Sequence, residues 1–82
     1  MKILIYSKDN CTYCTQAKKM FNDRKLEFTE VKLGRDISRE ELIDKLPHGW
    51  TTMPAIYVDD EFIGGYTETY HYIKKVESEN VT

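Results

Sequence analysis

Two cysteines, Cys11 and Cys14, stand in the run K-D-N-C-T-Y-C-T-Q with two residues between them. Three chemistries fit such a pair: a structural staple, half of a metal site, or a redox centre. A staple across so small a loop removes little chain entropy from the unfolded state. Zinc wants four ligands, and the other candidates, His48 and His71, do not stand at a His-x3–5-His spacing; both read as surface residues. Redox exchange needs only the pair, provided that one sulfur is held as a thiolate.

The elements around the pair favour that third chemistry. Residues 2–7, K-I-L-I-Y-S, are β-branched and aromatic and predict a buried strand. Asp9, Asn10 and Thr12 then offer N-cap chemistry. Tyr13, Ala17, Met20 and Phe21 recur at helical spacing, predicting an amphipathic helix over 12–24. The first cysteine thus falls at or just outside the N-cap and the second inside the first turn. Unpaired N–H groups and the positive end of the helix dipole favour a thiolate there. A free cysteine of pKa about 8.5 is only about 3% ionised at pH 7, whereas C-x-x-C thiols at helix starts fall to roughly 3.5–7. Lys8 adds a nearby positive charge. Cys11 is the expected nucleophile and Cys14 the resolving thiol.

The rest of the chain must supply the frame. Residues 26–33 alternate apolar and polar side chains, as in a strand exposed on one face. Gly34-Arg35-Asp36 is a turn, and Ser38 with Glu41 makes a capping box. Leu42, Ile43 and Leu46 form the apolar side of a second helix, ended by Pro47 and Gly49. Strands at Ala55–Val58 and 61–63 flank a tight Asp59-Asp60 turn. Gly64-Gly65 breaks the chain before a last helix over 66–78, with Ile73 and Val76 inward. The order β-α-β-α-β-β-α predicts an α/β fold: a right-handed parallel unit, then an antiparallel hairpin. The result is a four-stranded mixed sheet flanked by three helices.

Composition narrows the class further. With 82 residues, 40% hydrophobic and 32% charged, residues 1–82 read as one globular domain with a modest core. A net charge of -2 without a basic block gives no nucleic-acid surface. The longest apolar run, Ile3 to Tyr6, falls far short of a membrane span, and no signal peptide is recognisable. The chain is therefore expected to stay in the reducing cytoplasm, where a close cysteine pair suits redox or metal chemistry.

Taken singly, other residues have plainer readings. Pro54 in Thr52-Met53-Pro54 is a proline leading a strand, Lys8 a solvated lysine, Gly64-Gly65 a turn and Tyr13 a packing residue. Trp50 reads as core or groove wall and stays outside the expected site. Taken together, a strand leading to Lys8, C-x-Y-C, T-x-P before the third strand and Gly-Gly opening the last helix resemble a glutaredoxin. The resemblance runs over essentially the whole chain. It implies a thioredoxin-like fold, a cis Pro54 facing the cysteines, and glutathione as reducing co-substrate, with no resident metal.

Carried over residue by residue, the resemblance makes Cys11 the attacking and Cys14 the resolving cysteine. Lys8 and Tyr13 flank a glutathione groove that Thr52 lines. The Met53 backbone before Pro54 meets the cysteine part of glutathione. Gly65, Tyr66, Thr67 and Glu68 match the γ-glutamyl segment, where helix N-terminal N–H groups suit a carboxylate. Implied partners are glutathionylated or disulfide-bonded proteins, ribonucleotide reductase among them, served by a monomer. Three positions depart from the usual pattern: Thr12 for proline, Tyr66 for a third cysteine, and Glu68 for aspartate. Thr12 keeps open a second role, a [2Fe–2S] carrier ligated through glutathione. A third, a thioredoxin-type reductant served by a flavoprotein, lacks the W-C-G-P-C surroundings.

Overall fold

A computed structural model describes residues 1–79. Its elements run β1 (Ile3–Ser7), α1 (Thr12–Asp23), β2 (Phe28–Lys32), α2 (Arg39–Lys45), β3 (Ala55–Val58), β4 (Glu61–Gly64) and α3 (Tyr66–Glu79). The sheet order is β2-β1-β3-β4. β1 pairs parallel with β2 and antiparallel with β3, which pairs antiparallel with β4. The expected α/β architecture is the observed one.

Strand alternation divides the core in two. Ile3, Ile5, Ile56 and Val58 face α1 and α3, where Ala17, Phe21 and Ile73 are nearly fully buried. Tyr6 and Ala55 face the other way, toward Leu42 of α2 and Leu46 just past its end. The central strands, covered on both sides, therefore read as continuous apolar runs.

Four local expectations change. Leu26 lies outside β2, because α1 ends in a Schellman motif that consumes it. The Lys25 N–H bonds to the Asn22 carbonyl at 3.0 Å and the Leu26 N–H to the Phe21 carbonyl at 2.8 Å. Lys25 takes the left-handed conformation this motif requires, with φ 57°. β2 is also not exposed on one face: Phe28, Glu30 and Val31 are all partly covered, since helices lie over both sides of the sheet. On α1 the buried stripe is Cys14, Ala17, Met20 and Phe21, with Tyr13 turned outward. On α2, Leu42 points inward, as does Leu46 just past its end, but Ile43 is 57% exposed, because a seven-residue helix has only a narrow inward face. The Ser38–Glu41 capping box forms as expected, and Leu46 leaves the helix in extended conformation before Pro47. Asp59 and Asp60 both have positive φ, the geometry of a tight hairpin turn.

Candidate active site

Cys11 is itself the N-cap of α1, in extended conformation, and its Sγ accepts the Cys14 N–H at 3.2 Å. Sulfur thus takes the role expected of Asp9, Asn10 or Thr12. Asp9 instead pairs with Lys32, a contact that holds its carboxyl below the usual range. Cys11 and Cys14 are joined as a disulfide. Their exposures differ: Cys11 is part-exposed, whereas Cys14 is 2% exposed on the buried stripe of α1. In exchange chemistry an accessible sulfur meets an incoming thiol or disulfide, and a buried one can only resolve it.

The loop leading into β3 faces the pair. The Met53–Pro54 bond is cis, and the Met53 carbonyl oxygen lies 3.6 Å from Cys11 Sγ. Beside it runs a cleft of about 480 Å³ whose lining includes Lys8, Tyr13, Thr52, Met53 and Pro54 on one side and Gly65, Tyr66, Thr67 and Glu68 on the other. All nine non-cysteine candidates thus come together. The cysteines open onto an adjoining polar depression of about 530 Å³, and Lys8 belongs to both. A larger cavity of about 800 Å³, lined by Met1, Leu26 and Phe28 among others, contains none of these residues. It plays no part in the chemistry of the pair.

Tyr13 does not pack into the core. It is 59% exposed and stacks on Tyr66 at 6.1 Å between ring centroids, joining the starts of α1 and α3. Glu68 also differs from expectation. Its carboxylate folds back to accept the Gly65 N–H at 2.7 Å, as a glutamate at the third helical position does in a capping box. Among the described residues, the N–H groups of Tyr66, Thr67 and Glu68 in the first turn of α3 have no main-chain acceptors. A Cβ on Gly65 would fit tightly, 3.3 Å from Glu68 Oε1 and 3.4 Å from the Pro54 carbonyl oxygen.

Trp50, read from the sequence as core or groove wall and left outside the expected site, is a wall of the cleft. Its Nε1–H donates to the Thr52 carbonyl at 2.7 Å, and its ring meets Phe62 edge-on at 5.1 Å. One feature escaped sequence reasoning, a polar cluster that ties α1 to β1 and β2. Glu30 Oε2 accepts from Ser7 Oγ at 2.6 Å and from Lys18 Nζ at 2.8 Å. The Lys18 contact first, then Ser7, holds the Glu30 carboxyl below its ordinary range against the opposing effect of burial. Only tertiary structure brings these three together. Among the described residues, no three His, Cys, Asp or Glu side chains cluster to hold a metal ion.

Residues 3–63 match the family model described as Glutaredoxin. The chain belongs to the glutaredoxin family. It is 37% identical over 67 residues to glutaredoxin 3 of Escherichia coli, covering 80% of this chain and 78% of that protein. It is likewise 37% identical over 75 residues to human mitochondrial glutaredoxin-2, covering 89% of this chain and 46% of that one. The chain thus spans about half the length of the mammalian relatives it matches. A crystal structure of glutaredoxin 1 from Francisella tularensis superposes with a TM-score of 0.79 at 31% identity, covering 94% of this chain and 96% of that one. The fold is therefore the thioredoxin-like fold of glutaredoxins. Family and paired cysteines together make thiol–disulfide exchange the chemistry of this site.

Proposed function

We infer that the chain is a glutathione-dependent oxidoreductase that reduces protein–glutathione mixed disulfides and protein disulfides in the cytoplasm. The observation that carries this reading is the asymmetry of the pair, an accessible Cys11 capping a helix and a buried Cys14 behind it, beside a cleft open to a thiol ligand. The Met53 main chain can pair with an extended peptide. The Tyr66, Thr67 and Glu68 N–H groups in the first turn of α3 suit a carboxylate, with the Thr67 hydroxyl beside them.

In the monothiol route, the Cys11 thiolate attacks the glutathionyl sulfur of the substrate. The substrate leaves as a thiolate, and Cys11 carries the glutathione. A second glutathione thiolate attacks that bond, releasing glutathione disulfide and the Cys11 thiolate. In the dithiol route, Cys11 forms a mixed disulfide with the substrate protein. Cys14 then attacks Cys11, expels the second substrate thiolate and leaves the Cys11–Cys14 disulfide. Two glutathiones reduce that disulfide. A thiolate of low pKa serves both as nucleophile at neutral pH and as leaving group. The Cys14 N–H bonded to Cys11 Sγ favours that anion.

The test uses both single variants. Cys14→Ser is expected to keep glutathione-dependent turnover of a glutathionylated peptide and to lose reduction of a protein disulfide. Cys11→Ser is expected to lose both. Appreciable turnover by the Cys11 variant, or a reduced Cys11 that titrates near the ~8.5 of a free cysteine, overturns the reading. Ribonucleotide reductase remains one candidate substrate, assayed in the same way with its oxidised form.

A further inference from the structure

The cleft beside the cysteines does not end at Met53. It continues into an apolar recess of about 280 Å³ formed by Leu33, Leu42, Ile43 and Leu46, with Lys8 and Arg39 also on its lining. Lys8, Trp50, Thr51 and Met53 line both spaces. Fold stability does not account for the whole surface. Leu42 and Leu46 already anchor α2 in the core, yet Ile43 stands 57% exposed beside them. A lone exposed isoleucine needs no explanation. One that completes a concave apolar lining next to a reactive sulfur is a different matter.

The recess also carries positive charge. Lys18, Lys32 and Arg35 nearby on the chain each hold a carboxylate. Lys8 and Arg39 on its lining, like Lys25, Lys45, Lys74 and Lys75 elsewhere, have no ion-pair partner among the described residues. The recess is therefore apolar within and cationic where it is lined by these two side chains. Its complement is a large aliphatic side chain next to a carboxylate.

The geometry points to this recess as a docking pocket for disulfide-bonded polypeptide substrates. The preferred segment carries a large aliphatic residue within three positions of its reactive cysteine and an Asp or Glu beside it. An extended chain advances about 3.3–3.6 Å per residue, so a cysteine at Cys11 brings its near neighbours alongside Met53 and into the recess. The inference rests on the disulfide-exchange reading of the cleft and adds which proteins it serves best.

The experiment needs no glutathione. Reduced enzyme is mixed with symmetric disulfides of synthetic decapeptides that each carry one cysteine, and oxidation of Cys11 and Cys14 is followed by alkylation and mass spectrometry. Each event turns one peptide disulfide and the enzyme dithiol into two peptide thiols and the Cys11–Cys14 disulfide. Leucine at one of the three positions on either side is expected to raise the rate roughly fivefold to thirtyfold over glycine, the scale of burying about two-thirds of one such side chain in an open recess. Ile43→Ser is expected to erase that preference while reducing hydroxyethyl disulfide within twofold of the native rate. Arg39→Glu is expected to reverse a preference for Asp over Lys beside the leucine.

Equal rates for leucine and glycine peptides overturn the inference. So does an Ile43→Ser variant slowed equally on hydroxyethyl disulfide, which would mean a disturbed fold. A dimer that Ile43→Ser disperses would give this face to a second copy of the chain and overturn it as well. Failure of glutathione to regenerate the oxidised enzyme would instead refute the proposed function and leave these peptide rates untouched.

Discussion

Glu30 offers the sharpest test of how the site is held. It stands on β2 opposite Ile5 of β1. Its carboxylate gathers Ser7, 1% exposed at the end of β1, and Lys18, one turn beyond Cys14 on α1. Glu30→Gln keeps an oxygen for the Ser7 hydroxyl but removes the charge. Hydrogen bonds to charged groups contribute about 1.5–3 kcal/mol and neutral ones about 0.5–1.5. The Lys18 and Glu30 side chains are 32% and 21% exposed, so solvent screening trims the ionic part. The expected loss is about 1 kcal/mol, or about 4–8 °C in Tm for a domain of this size. Glu30→Ala also strips the buried Ser7 hydroxyl of its acceptor, raising the loss to about 2–3 kcal/mol.

The pH dependence has a definite sign. The folded-state pKa of Glu30 is depressed, so its contribution is present above the unfolded-state value near 4.3 and disappears as pH falls through the folded value. Urea unfolding of the oxidised protein, followed by Trp50 fluorescence, should therefore show native and Glu30→Gln chains separated at pH 7. The gap should narrow as pH falls below about 4.3. A gap of the same size at pH 7 and at pH 3 refutes the charge argument. An alanine variant no worse than glutamine refutes the buried-hydroxyl argument.

Three other substitutions test separate points. Thr69 is fully buried in α3, and its Oγ1 has no hydrogen-bond partner among the described residues; Thr69→Val, close in shape, is expected to raise stability by about 1 kcal/mol in denaturant melts. Lys25 occupies the left-handed position closing α1, so Lys25→Gly should stabilise by up to about 1 kcal/mol, read as a higher Tm. Glu68→Ala removes the acceptor of the Gly65 N–H and should lower stability by about 1 kcal/mol, with the loss appearing in amide exchange across the first turn of α3.

What the sequence disclosed was whatever a few neighbouring residues decide among themselves. The capping box at Ser38, the Asp59-Asp60 turn and the strand composition of 55–58 are of this kind, and each stands where expected. The limits of β2 were not, because Leu26 is drawn into the closure of α1 and the apolar alternation runs on past that closure. Nor was the covering of β2, since Glu30 looks like a solvent-facing strand residue until Lys18 arrives from another element. Trp50 follows the same rule, since its ring meets Phe62 only in the folded chain; the Glu68–Gly65 bond spans three residues, as the Ser38–Glu41 box does, and was a local signal left unread.

The division of labour between the cysteines was partly legible, and helix periodicity explains why. An α-helix returns to the same face after three or four residues, so Cys14, Ala17 and Phe21 form one line into the core. Cys11 precedes the first helical residue and escapes that line. Placing Tyr13 on the stripe instead of Cys14 counted apolar character and overlooked phase. With Cys14 on the stripe, its thiol is shielded from bulk thiols, and Tyr13 is free to stack across the cleft on Tyr66. Shifting the pair by one residue would exchange these positions, exposing the resolving sulfur and burying a ring that here bridges α1 and α3. The two-residue spacing thus sets access as well as reach: it keeps the sulfurs within bonding distance while giving only one of them to the solvent.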